Sequence, residues 1–151
     1  MIPDFVDIGA SWMVLPAGVH ESALAEVEER FGTNDRRRML LSGLVNACTS
    51  LEAASCQAVF LNGSFVTEKP NPGDYDVCWD PVGVDHTRLD PVLLDFSENR
   101  LNQKLKYGGE FFPSSAWADG SHPFVDYFQM DKETGRKKGI VRVILSGSGR
   151  G

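Results

Sequence analysis

The sequence has 151 residues, of which 42% are hydrophobic and 24% are charged, and these proportions are typical of one globular domain with a single core. No apolar run approaches the roughly 20 residues of a membrane-spanning helix, and residues 1–18 lack the basic and apolar regions of a signal peptide. The net charge of −6 argues against strong non-specific binding to nucleic acid, and three cysteines without metal-ligand spacing predict reduced thiols in a cytoplasmic protein.

Two helices are predicted in the first third of the chain. The first begins at His20, where apolar residues start to recur at three- and four-residue steps, and it ends at Gly32. The second begins at Thr33 or Asn34, either of which can serve as an N-cap, and it ends near Ala54.

Three consecutive arginines, Arg36, Arg37 and Arg38, lie in the first turn of the second helix. Cations at this end of a helix oppose its dipole, which is mildly unfavourable. One interpretation is a patch that binds phosphate or an acidic partner. The other is a solvated basic face, and we favour it.

The rest of the chain predicts four strands, at residues 57–61, 75–79, 124–129 and 139–145. A helix is expected within residues 87–106, a long loop over 108–122, and a hairpin formed by the last two strands. The pattern predicts one α/β (α+β) domain over residues 1–145, with its core at about 20–145 and a small mixed sheet of about four strands flanked by helices. The Gly- and Ser-rich residues 146–151 predict a flexible tail.

Asp74 and Asp76 are the strongest candidates for chemistry. They enter a predicted apolar strand and, because side chains alternate along a strand, they point to the same face, where two carboxylates can bridge a pair of hard cations. In the preceding Gly63-Ser64 turn, the glycine lets a phosphate approach the backbone closely, and the serine hydroxyl can contact the phosphate oxygens. The alternative is turn chemistry, because residues 71–74 have the composition of a turn that Asp74 would cap.

Asp126 is a third candidate, because it interrupts the otherwise apolar and aromatic strand predicted at residues 124–129. One interpretation makes it a third metal ligand, or the base that takes a proton from an acceptor hydroxyl. The other makes it an edge-strand aspartate that faces water.

Gly63-Ser64, Asp74-Tyr75-Asp76 and the later Asp126 together resemble the DNA polymerase β-type nucleotidyltransferase superfamily, and in particular its small bacterial minimal nucleotidyltransferases. Over most of the chain, including residues 15–20, 63–67, 103–109 and 138–141, the sequence is similar to that of an uncharacterised bacterial and phage family placed in that superfamily.

The resemblance implies a nucleotidyltransferase-like fold and transfer of a nucleotidyl group from a nucleoside triphosphate to a hydroxyl, with Mg²⁺ or Mn²⁺ as the cofactor and a protein or an RNA as the acceptor. It implies metal ligation by Asp74, Asp76 and Asp126 and phosphate contact by Gly63 and Ser64. Small family members often carry an arginine shortly after the Gly-Ser pair. This chain lacks that arginine, and Lys69 is the candidate that replaces its charge at the phosphates.

Two other functions remain open at this point. The chain can be a non-catalytic or weakly active member that acts as an antitoxin-like or phage-associated binding partner of another protein. The sparse basic charge and the irregular loop predicted after Gly63 favour this alternative. It can also be a module that binds a triphosphate without turnover.

Overall fold

A computed structural model describes residues 1–145, and the predicted tail at 146–151 lies outside this described part. Five strands form one sheet: β1 (Gly18–Ala23), β2 (Ala58–Asn62), β3 (Tyr75–Trp79), β4 (Gly109–Pro113) and β5 (Gly139–Ile144). Four α-helices accompany them: α1 (Leu24–Phe31), α2 (Asp35–Ala53), α3 (Ser97–Tyr107) and the single turn α4 (Phe124–Tyr127). Short 3-10 helices lie at Ser64–Val66 and Pro91–Leu94. None of the helices in residues 1–145 has the length and apolar character needed to cross a membrane.

The strands follow the order β1-β5-β2-β3-β4 across the sheet. The two outer pairs, β1 with β5 and β3 with β4, are parallel, while β2 is antiparallel to both of its neighbours. The predicted mixed α/β fold is therefore confirmed, with five strands instead of about four.

The start of the first predicted helix is wrong, because residues 18–23 form the edge strand β1. His20 pairs with Val141 of β5 in parallel register, and the helix begins only at Leu24. The second helix begins after Asn34, as predicted, and the Asn34 side chain accepts a hydrogen bond from the backbone N–H of Arg37.

Three predictions in the second half of the chain are also wrong. Residues 109–113 of the predicted loop form β4, because Phe111 enters the core beside β3. Residues 124–127 form the helical turn α4 instead of a strand, since Phe124 and Phe128 pack on each other at the four-residue spacing of a helix. The last strand consequently pairs with β1 and β2, and the predicted hairpin does not form. The helix predicted within 87–106 is a 3-10 turn followed by α3.

The two faces of the sheet are covered differently. The helices bury the first face, where Leu61, Val77 and Val141 belong to the main hydrophobic core. On the second face a smaller apolar cluster joins Cys78 and Ile140 to Phe128, which follows α4. Because side chains alternate along β3, Asp76 lies on the same second face as Cys78.

Helices α2 and α3 approach each other closely at Gly43, where an added Cβ would lie 1.8 Å from the backbone oxygen of Tyr107. Gly43→Ala should therefore lower the free energy of unfolding by about 1–3 kcal/mol, because the backbones must separate to admit the methyl group. Thermal denaturation followed by circular dichroism measures the effect as a lower Tm. Gly120→Ala is the matched control, because a Cβ there meets nothing within 4 Å. Equal Tm values for the two variants would contradict the prediction.

Candidate functional site

Three carboxylates meet at one end of the sheet. One oxygen from each of Asp74, Asp76 and Glu110 lies within 4.8 Å of the other two. Asp76 on β3 stands directly opposite Glu110 on β4, and Asp74 is two residues before Asp76, so the strands place all three side chains together. Carboxylate oxygens are the ligands that Mg²⁺ and Mn²⁺ prefer, and the group therefore has the right chemistry for a divalent cation.

The charges of this group repel one another. Burial, followed by the neighbouring charges of Asp74 and Glu110, raises the pKa of Asp76 to about 6. Burial and the charge of Glu110 also raise the pKa of Asp74. Both shifts come first from burial and then from the neighbouring negative charges, and a bound cation would oppose both.

The affinity for Mn²⁺ should rise with pH and level off above about pH 6, because a cation must displace the proton from Asp76. Well below that pKa, each unit of pH should change the apparent affinity up to about tenfold. Electron paramagnetic resonance of free Mn²⁺ during titrations at a series of pH values measures the dependence. A constant affinity between about pH 5 and pH 7 would be incompatible with Asp76 as a ligand.

Glu110 is the site residue that the sequence analysis missed, because it falls in the segment predicted as a loop. The Nε of Arg100 donates a hydrogen bond to its Oε1 at 2.6 Å, and the Nζ of Lys104 lies 4.0 Å from its Oε2. Both cations come from α3, so this helix fixes the orientation of the third carboxylate. The signal in the sequence was the alternation Glu110-Phe111, a polar residue beside an apolar one at the start of an aromatic run.

Asp126 lies elsewhere. It is an exposed residue of α4, and the group of carboxylates close enough to share an ion within residues 1–145 does not include it. The aromatic neighbours that suggested a strand pack on the sheet as a helical turn. The carboxylate that lies beside Asp74 and Asp76 is instead that of Glu110.

Gly63 is in direct contact with the carboxylate group. Its φ of +90° favours glycine, and a Cβ added to it would lie 2.9 Å from Oδ2 of Asp76. Ser64 follows in a 3-10 turn, and its backbone oxygen accepts a hydrogen bond from the Thr67 hydroxyl. The Gly-Ser turn is therefore adjacent to the acids, as the motif predicted.

The segment from Phe65 to Gly73, which joins the Gly-Ser turn to Asp74, is held by the start of α2. The buried guanidinium of Arg37 donates hydrogen bonds to three backbone oxygens of this segment, those of Phe65 at 2.6 Å, Thr67 at 2.8 Å and Lys69 at 2.5 Å. Arg36 donates to the backbone oxygens of Pro72 and Gly73.

The prediction of a solvated basic face is therefore wrong for two of the three arginines. Arg36 and Arg37 bind backbone oxygens because the segment after Ser64 has few secondary-structure partners for its carbonyl groups. Only Arg38 fits the prediction, since it is exposed and pairs with Asp35, which is still more exposed.

Two clefts open on either side of the carboxylates. The larger, of about 530 Å³, runs between α2 and α3 and includes Asp74. Its wall carries the exposed apolar side chains of Met39 and Leu105 and the cations Arg36, Lys104 and Lys106. The smaller, of about 220 Å³, includes Asp76 and Gly63 and is closed on its far side by residues 127–138.

Lys69 is not among the residues that line the smaller cleft. Its charge lowers the pKa of Asp74, as do the charges of Lys104 and Arg36. Lys69 thus lies on the Asp74 side of the site, and the cations on the Asp76 side are Lys132 and Lys138.

Fold and site together define a mixed α/β domain with a carboxylate group at the start of β3 and of the edge strand β4. Residues 6–144 match a family of unknown function, DUF6932, and the chain belongs to this family. Neither a curated protein nor a solved structure matches the chain significantly.

Proposed function

We propose that this protein is a metal-dependent nucleotidyltransferase of the DNA polymerase β-like fold, which moves a nucleotidyl group from a nucleoside triphosphate to an acceptor hydroxyl and releases pyrophosphate. The observation that carries the proposal is the close group formed by Asp74, Asp76 and Glu110. It lies directly beside the Gly63-Ser64 turn, where a triphosphate can approach the backbone.

Asp74, Asp76 and Glu110 would hold the cations. When bound, Mg²⁺ or Mn²⁺ lowers the pKa of an attacking hydroxyl and neutralises charge on a leaving pyrophosphate. Asp76 is the central ligand, because it touches Gly63 on one side and stands opposite Glu110 on the other. Arg100 orients Glu110, and the α2 arginines fix the approach to Asp74.

The two clefts suit a reaction with two substrates. Each contains one of the two aspartates, so molecules bound in them would meet at the carboxylates. We assign the acceptor to the larger cleft, where Arg36, Lys104 and Lys106 surround exposed apolar side chains and favour an anionic acceptor. A terminal hydroxyl of RNA and a protein hydroxyl beside acidic residues both have this character.

Incubation with each common nucleoside triphosphate labelled in the α-phosphate, with Mg²⁺ and a lysate of the host, tests the proposal. Transfer of label to a macromolecule with release of pyrophosphate is the expected result, and calorimetry should show binding of the triphosphate that depends on Mg²⁺. Triphosphate binding without any labelled product would indicate the binding module, and no binding at all would overturn the proposal.

Glu110→Gln and Asp126→Asn decide between the two candidates for the third ligand. Glu110→Gln should weaken Mn²⁺ binding by about tenfold or more, because the amide carries no charge and Glu110 belongs to the group. Asp126→Asn should leave the affinity unchanged within about twofold, because this exposed side chain lies outside the group. Paramagnetic resonance titration of Mn²⁺ gives both values. A loss confined to Asp126→Asn would restore the assignment made from the sequence.

A further inference from the structure

The smaller cleft contains polar groups that metal binding by the carboxylates leaves unexplained. It lies between the end of β2 and the segment 127–138, which is outside the Gly-Ser and Asp-x-Asp motif. Asn62, Lys132 and Lys138 line it together with Asp76 and Tyr127.

Asn62 is the first of these groups. The residue is only 6% exposed, and its Oδ1 has no hydrogen-bond partner within residues 1–145. Asn62 stands opposite Asp76 in the β2–β3 register, so its amide lies on the same face of the sheet as the carboxylate. Buried amides are nearly always paired, and a ligand in the cleft would supply the missing partner. Rotation of the amide presents either its oxygen or its NH2 group.

Two lysines form the opposite wall. Lys138 is half-buried, and the Nζ of Lys132 lies 5.2 Å from the centre of the Tyr127 ring. The charges of both lysines act on Asp76. Neither forms an ion pair within residues 1–145. The cleft therefore contains two lysines that no carboxylate pairs directly within residues 1–145, and Lys138 is partly removed from solvent.

The other acid that lines the cleft is Asp131, and its charge acts on Lys138 more strongly than the charge of Asp76 does. Oδ2 of Asp131 accepts hydrogen bonds from the backbone N–H of Thr134 at 2.8 Å and from its hydroxyl at 2.7 Å, which closes the 131–134 turn. Once a cation neutralises Asp76, the cleft contains more positive than negative charge. An anion whose several oxygens extend from Asp76 towards Lys138 would complement this positive charge.

We propose that this cleft binds the polyphosphate end of the donor, with Lys132 and Lys138 as phosphate ligands and Asn62 as a polar contact beside the metal-bound phosphate. This inference rests on the proposed function for the orientation of the donor. In this arrangement Lys132 and Lys138 neutralise charge on the phosphates, whereas Lys69 lies on the other side of the site, beside Asp74. The α-phosphate then lies at the carboxylates and faces the larger cleft, so the acceptor approaches from the side opposite to the leaving pyrophosphate.

Calorimetric titration with inorganic tripolyphosphate, in Mg²⁺ and again in EDTA, tests the inference without any turnover. Lys138→Gln should weaken tripolyphosphate binding by about tenfold, and Lys132→Gln by a smaller factor, because each removes one charge from the cleft. Lys138→Arg should remain within about threefold of wild type, since it keeps the charge. Lys137→Gln is the matched control, because this neighbouring lysine is exposed and does not line the cleft.

Asn62→Leu tests the inference through two measurements, thermal stability and tripolyphosphate binding, which should not fall together. It removes a buried polar group without a partner, so the variant should have the same or a higher Tm than wild type while it binds tripolyphosphate more weakly. Unchanged tripolyphosphate binding in Lys138→Gln, Lys132→Gln and Asn62→Leu would overturn the inference.

Mn²⁺ titration of the same variants, without phosphate, separates this inference from the proposed function. If Mn²⁺ binds and both lysine variants bind tripolyphosphate as tightly as wild type does, only the cleft assignment fails. If tripolyphosphate binding depends on Lys138 but Mn²⁺ does not bind, the cleft assignment stands and the nucleotidyltransferase proposal fails.

Discussion

Asp76→Asn should make the metal-free protein more stable and, at the same time, abolish its stabilisation by Mn²⁺. The pKa of Asp76 is about 6 in the folded protein, above the ordinary value of 3.8, so the folded state holds the proton more tightly than the unfolded state does. Its contribution to stability is therefore largest at low pH and is lost as the pH rises from about 4 to above 6. At neutral pH the ionised carboxylate costs up to about 3 kcal/mol, and asparagine removes this cost.

Thermal denaturation in EDTA and in excess Mn²⁺ measures both effects. In EDTA the variant should unfold at a higher temperature, by about 2–4 °C for each kcal/mol gained. In Mn²⁺ the wild-type Tm should rise because the ion binds only the folded state, while the Tm of the variant should not move. Asp126→Asn serves as the control, with a Tm response to Mn²⁺ like that of wild type. A lower Tm for Asp76→Asn in EDTA would show that this carboxylate has a structural role and would remove the main argument for a metal site.

Arg37→Ala should be the most damaging substitution at the start of α2. It would leave the backbone oxygens of Phe65, Thr67 and Lys69 without their donor, and it would open a cavity beside the Phe65 ring, whose centre lies 5.2 Å from the guanidinium carbon. The expected loss in the free energy of unfolding is about 3–5 kcal/mol, because buried partners of a charged donor are costly to leave unpaired.

Arg38→Ala, at the adjacent position, is the control. The Arg38–Asp35 pair is exposed on both sides, so its loss should change the free energy of unfolding by less than about 0.5 kcal/mol. Urea denaturation gives both values. Comparable losses in the two variants would show that the carbonyl contacts of Arg37 contribute little, and the segment before Asp74 would then need another explanation for its order.

The elements predicted correctly are those with one dominant periodicity. Helix α2 and strands β2, β3 and β5 each carry a clear apolar pattern with polar ends. The nearness of Asp74 and Asp76 followed from the alternation of side chains alone, and the structure confirms it.

The errors fall where a segment fits two periodicities or depends on a distant partner. The run of apolar and aromatic residues at 124–128 suggested a strand, but Phe124, Tyr127 and Phe128 also recur at three- and four-residue steps. The Phe124 ring stacks on that of Phe112, with the ring centroids 4.0 Å apart, and this contact favours the helical turn. Strands β1 and β4 are edge strands that depend on parallel pairing with β5 and β3, and their local sequence patterns indicate this pairing only weakly. Glu110 was missed for this reason, because its role depends on lying opposite Asp76.

The parallel pairing of β1 with β5 has a consequence for the order in which the protein assembles during synthesis. Residues 18–23 must wait for residues 139–144 before they have a strand to pair with, and β2 likewise gains its second neighbour only then. Contacts between such distant parts of a chain form late and slow the folding of a domain. Lys138 directly precedes β5, and Lys132 lies in the turn before it, so the wall that carries them is fixed in place only when that strand docks. A nascent chain on the ribosome therefore exposes the carboxylates before it has the lysines opposite them, and the complete site exists only after residue 144 has emerged.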